Sequence, residues 1–107
     1  MIGLGESTVF SCNAGILTVQ QADGSISQQD CSDPFQYIRD FQSQFKVPTQ
    51  KELPDLPSFT GGLVGYLGYD AIRYIEPKLK NVPAADPVTL PDLWLMLSQT
   101  VIVFDNL

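Results

Sequence analysis

Hydrophobic and polar positions divide the chain into short alternating runs, one helical stripe and one run without a polar face. Ile2 to Leu4 and Ser7 to Asn13 read as extended segments, with Asn13-Ala14-Gly15 as a turn. Ile16 to Gln20 returns antiparallel, and Ala22-Asp23-Gly24 turns the chain again toward Ser25-Ile26-Ser27-Gln28. These runs predict a meander of three short strands. The first run is apolar from its first residue, the pattern expected of a domain that has lost something upstream.

From Asp33 to Lys46 the period changes. Phe35, Ile38, Phe41 and Phe45 recur at helical spacing between Gln36, Asp40, Gln42, Ser43 and Gln44, which predicts one amphipathic helix. Asp33 is its expected cap, Pro34 suits the first helical position, and Lys46 would complement the C-terminal dipole. Aromatic residues dominate buried area, so the phenylalanine stripe is expected to pack on a sheet rather than hold a ligand. Val47 to Ser58, with three prolines, reads as an extended loop.

In Leu63 to Tyr69 both faces are apolar or glycine: Leu63, Gly65, Leu67 and Tyr69 on one side, Val64, Tyr66 and Gly68 on the other. Such a run predicts an interior strand, covered on both faces. Glycines at 61, 62, 65 and 68 weaken a strand unless another layer comes close, so a Val at Gly65 or Gly68 should overpack. Asp70 is the expected N-cap of a short helix that Pro77 stops. Lys78 to Pro91 lacks periodicity and reads as a long excursion, either functional or covering a neighbour. Leu93 to Leu97 and Val101 to Phe104 predict one bulged strand or two strands meeting near Ser98-Gln99. An unpaired apolar edge at Val101–Phe104 would make the chain marginally stable or self-associating.

Composition narrows the class. The chain has 107 residues, 44% of them hydrophobic, which fits one globular domain. Six basic against twelve acidic residues give a net charge of −6, and the basic ones are scattered. Nucleic acid is therefore not an expected partner. No apolar run is long enough for a membrane helix and the N-terminus lacks the form of a secretory signal, so the expected location is cytoplasmic. Cys12 and Cys31 lie outside any CxxC pattern, and without histidine they read as reduced, mostly buried thiols rather than zinc ligands.

Candidate chemistry is sparse. Gly61-Gly62-x-x-Gly65-x-x-Gly68 lies within a strand and lacks a following Gly-Lys-Ser/Thr, so neither phosphate-loop pattern is met. Asp70, Arg73 and Glu76 would share one helix face as an exposed ion-pair ladder. Without histidine there is no Ser-His or Cys-His pair. The residues contain no catalytic, effector-binding or metal constellation, and the chain alone is expected to be inactive.

Phe59-Thr60-Gly61-Gly62-Leu63-Val64-Gly65-Tyr66-Leu67-Gly68-Tyr69-Asp70, with Arg73 and Glu76-Pro77, resembles the N-terminal region of anthranilate synthase component I. Leu90-Pro91-Asp92-Leu93-x-x-Met96-Leu97 and Val101-Ile102-Val103-Phe104-Asp105 match the same family at the expected distance, and Ile2-Gly3 resembles its upstream Ser-Phe-Ile-Gly strand. Aminodeoxychorismate synthase component I, of the folate branch, shares most of these motifs and stays open as the alternative. So does a free-standing binding or support module.

The resemblance implies an α+β fold of antiparallel β-rich layers with covering helices, a fragment of a four-layer α/β/β/α arrangement with two packed sheets. It implies that residues 1–107 are a partial N-terminal domain with a structural or regulatory role. The family's tryptophan-sensing Leu-Leu-Glu-Ser segment would lie upstream of Met1. The chorismate and Mg²⁺ groups would lie in a C-terminal region, so no cofactor is expected on this chain itself. Implied partners are that C-terminal region and a glutamine amidotransferase, component II.

Overall fold

A computed structural model describes residues 2–4, 7–81, 90–104 and 106. Much of the Lys78–Pro91 excursion (residues 82–89) therefore lies outside the described residues. Seven strands, one α-helix and two short 3₁₀ helices follow in the order β1 (Ile2–Leu4), β2 (Val9–Asn13), β3 (Ile16–Gln20), β4 (Ile26–Asp30), α1 (Pro34–Gln42), β5 (Gly62–Leu67), the 3₁₀ helices Tyr69–Tyr74 and Pro77–Leu79, β6 (Leu93–Ser98) and β7 (Thr100–Ile102). A five-stranded sheet has the order β4-β3-β2-β6-β5, and β1 pairs with β7 in a separate ribbon; every pairing is antiparallel. Sheet plus helix is an α+β arrangement.

The predicted meander is present as β2-β3-β4, although β4 runs two residues beyond Gln28. Its first turn places Ala14 at φ 49° and Gly15 at φ 79°, the left-handed pair required by a two-residue hairpin matching the strand twist. Alternation then divides the sheet. Phe10 and Cys12 of β2, Leu17 and Val19 of β3 and Leu93 of β6 form a buried cluster with Ile38 of α1, and Phe35, Tyr37, Phe41, Leu63 and Leu95 pack around it. Phe10 sets its ring edge against Phe41 at 4.7 Å between centroids. Burying an aromatic side chain of this size is worth about 3 kcal/mol, and Phe10 is among the largest fully buried side chains.

Helix α1 starts as expected: the Asp33 carboxylate accepts the Gln36 N–H at 3.0 Å, and Pro34 occupies the first turn. It stops at Gln42, short of Lys46. Ser43 caps the helix, and its hydroxyl donates to the Asp40 carbonyl at 2.7 Å. Phe41 and Gln42 carbonyls accept from Gln44 and Phe45 in tight i+3 turns, and Pro48 then disfavours helix at Val47. Arg39, not Lys46, is the basic residue of the last turn. Phe45 still stacks near Phe41, at 5.2 Å, but is 45% exposed.

Three further expectations are corrected. The run Leu63–Tyr69 is not an interior strand: β5 is an edge of the sheet among the described residues, with Val64, Tyr66 and Leu67 exposed. Apolar residues on both faces record what a strand can be packed against, not where it sits in the sheet. Asp70 does not cap the following helix; Gly68 does, without a side-chain bond, because its own N–H is tied to the Asp92 carbonyl at 2.7 Å and starts the turn two residues early. The C-terminal run takes the second of its two expected forms, two strands meeting near Ser98-Gln99, but the edge expected to stand unpaired does not: β7 pairs with β1, Ile102 opposite Ile2 and Thr100 opposite Leu4.

What approaches the glycines is a neighbouring backbone, not another layer. A Cβ on Gly65 would run into the Trp94 carbonyl oxygen and stand 2.9 Å from the Leu95 Cα, whereas one on Gly68 would stand 3.2 Å from the Asp92 carbonyl. Opposite α1, Val9, Met96 and Val64 lie side by side in one row of the sheet, with Trp94 and Tyr66 paired in the next.

Candidate functional site

The densest polar cluster is assembled from three elements. Tyr74 closes the first 3₁₀ helix, Asp92 precedes β6, and the Ala14-Gly15 turn joins β2 to β3. The Tyr74 hydroxyl donates to Asp92 Oδ2 at 2.8 Å and accepts the Gly15 N–H at 3.0 Å. The Cys12 thiol donates to the Tyr74 hydroxyl oxygen at 3.4 Å. Asp92 Oδ2 also accepts the Ala14 N–H at 3.1 Å. One donor and both lone pairs of the hydroxyl are thereby used. Both N–H groups of the left-handed turn have an acceptor, which holds Ala14 in a conformation non-glycine residues seldom adopt.

Burial pushes the Cys12 thiol above its ordinary pKa, and its hydrogen bond with Tyr74 only partly opposes this. Burial, then the contact with Cys12, raises the Tyr74 phenol as well. Both groups are protonated at neutral pH, so the cluster holds neither a thiolate nucleophile nor a phenolate base. It is a staple between the hairpin and the 3₁₀ helix. Beside it opens a cleft of about 620 Å³ whose wall includes Cys31, Ser32, Arg73, Lys80 and Asn81. A second cleft of about 450 Å³ lies between the end of α1 and the β5–β6 pair, lined by Phe41, Phe45, Leu63 and Leu97 among others.

Of the residues singled out for chemistry, Asp70 and Arg73 pair at 3.1 Å. Glu76 instead accepts the Lys78 N–H at 3.2 Å and caps the second 3₁₀ helix, so the expected ladder is one pair. Cys12 is buried, Cys31 is half-buried, and neither is in a disulfide. Among the described residues no group of three or more His, Cys, Asp or Glu is placed to hold a metal. No helix among them is long and apolar enough to cross a membrane. The roles of Tyr74 and Asp92 had no signal in the sequence: eighteen positions separate them, and their link to Gly15 spans 59.

Sheet, helix and staple define an α+β packing unit, whose staple cysteine is no activated nucleophile. No family model matches the chain. Individual relatives do. It is 74% identical over all 107 residues to anthranilate synthase component 1 of Acinetobacter calcoaceticus, covering 22% of that protein. It is 50% identical over 78 residues to the same component of Pseudomonas aeruginosa, covering 73% of this chain and 15% of the relative, and 40% identical over 107 residues to that of Pseudomonas putida, covering 21%. The chain is homologous over its whole length to the N-terminal part of anthranilate synthase component 1. It spans about a fifth of the length of these curated relatives.

Proposed function

We propose that this chain is the structural and regulatory N-terminal part of an anthranilate synthase component 1, within a protein that converts chorismate to anthranilate for tryptophan biosynthesis. The identity of 74% along the entire chain carries this reading. The chain's regulatory contribution is mechanical: the Tyr74–Asp92 staple joins the hairpin, the 3₁₀ helix and β6, so a shift at one element is passed to the others. Partners in this reading are the C-terminal chorismate-binding remainder, which carries the Mg²⁺ groups, and the amidotransferase component II, in the cytoplasm. Relatives named for anthranilate synthesis favour this over the folate-branch alternative.

Reconstitution tests it. The chain is mixed with the separately expressed remainder of the component, chorismate, Mg²⁺ and ammonium, and anthranilate fluorescence is followed. Fluorescence that requires this chain and falls on adding tryptophan is expected. Equal fluorescence without the chain, or an aminodeoxychorismate product, overturns the reading.

A further inference from the structure

The two edges of the five-stranded sheet differ in chemistry. The outer strand β4 reads Ile26-Ser27-Gln28-Gln29-Asp30, exposed throughout and four-fifths polar, the composition by which natural sheets keep an edge in water. The outer strand β5 reads Gly62-Leu63-Val64-Gly65-Tyr66-Leu67, with no polar side chain except one phenol. Gly68 N–H bonds inward to Asp92, so by antiparallel alternation the amides of Leu63, Gly65 and Leu67 point away from β6. The apolar surface continues past the strand. Leu67 is 56% exposed, Tyr69 93% and Ile75 68%, and Ile72 is exposed as well. Exposed apolar side chains on an edge strand and in the segment that follows it, the edge being open among the described residues, mark a protein interface rather than a solvated surface.

We infer that the β5 edge and the Leu67–Ile75 ledge seat the remainder of the same component, which adds a strand to β5 and covers Tyr69, Ile72 and Ile75. This rests on the proposed function. The occupant is argued from length: this chain spans 22% of its Acinetobacter relative, so about four-fifths of such a component is available to cover this surface. A second copy is the poorer occupant, because each carries a net charge of −6. β-Strand addition suits an edge whose main-chain groups are free and whose side chains are apolar.

Hydrogen exchange on the full-length component decides this. Amides of Leu63, Gly65 and Leu67 are expected to exchange at least about a hundredfold more slowly than the outward amides of β4. The variants Tyr69→Lys and Ile75→Lys are expected to lower the melting temperature of the full component by about 2 °C or more, and Gln28→Lys on β4 to leave it unchanged. Exchange at the β4 rate overturns the inference, as does unchanged melting of both ledge variants. Protection that grows with protein concentration and accompanies a dimer mass also overturns it, assigning the ledge to self-association. Anthranilate formation is read on the same samples: its absence refutes the functional reading, while exchange still decides the surface.

Discussion

The helix-covered middle of the sheet and its β5 end are built from similar apolar residues, yet only the first is complete within this chain. Phe10, Cys12, Leu17 and Leu93 are almost fully buried beneath α1, and their neighbours interlock with its aromatic stripe. Val64, Tyr66, Leu67 and Tyr69, two strands away, stay exposed. Both regions have the side chains of a core, but a strand contributes stability only when something lies on its faces and along its edge. The contrast shows that apolar content is a capacity for burial, which the middle realises locally and the β5 end reserves for another surface.

The sharpest way to break the comparison is to hollow out the complete side. Phe10→Ala should cost about 3–5 kcal/mol, because the ring fills the space between β2 and α1, and the single tryptophan, Trp94, reports the melt by its fluorescence. Substitution at the β5 end tests packing against β6 instead. Gly65→Val should cost about 3 kcal/mol, since the added Cβ meets backbone that has no rotamer to change. Gly68→Val should cost less, its contact being longer, and a reversed order in urea melts would mean that β5 is not held tightly against β6.

Tyr74→Phe should cost about 1–2 kcal/mol by leaving the Gly15 N–H without its acceptor. The same variant sharpens the pH dependence. The phenol and the Cys12 thiol both have raised pKa values in the folded chain, so the unfolded chain loses these protons first. The stabilisation is complete below the ordinary thiol value of 9.0 and is lost as pH rises through the folded values. Wild-type melting temperature should therefore fall above about pH 9, and fall less steeply in Tyr74→Phe. The smallest effect is expected at the opposite edge: Gln28→Lys on β4 should change stability by less than about 0.5 kcal/mol, and a larger loss would show that β4 is not a solvated edge.

Much of the candidate site was hidden because its members are ordinary residues joined across the chain. Tyr74 sits in a recognisable motif and Asp92 in another, but nothing in either motif specifies that both reach the Ala14-Gly15 turn. The turn itself was legible, since a short Asn-Ala-Gly stretch between alternating runs has few other solutions. The clefts were not, because their walls combine segments distant in sequence.

By itself the sequence determined the elements whose causes are neighbours: the Asp33-Pro34 helix start, the β2-β3-β4 meander, the phenylalanine stripe and the α+β class. Its motifs also carried the resemblance that the relatives confirm at 74% identity. Tertiary structure alone decided the pairing of β1 with β7, the displacement of the Asp70 cap and the position of β5 at an edge. Local propensity acts over a few residues and is written in their order. Strand order and edge exposure depend on which distant surfaces meet, and one run of apolar residues satisfies an interior place and an awaiting interface equally well.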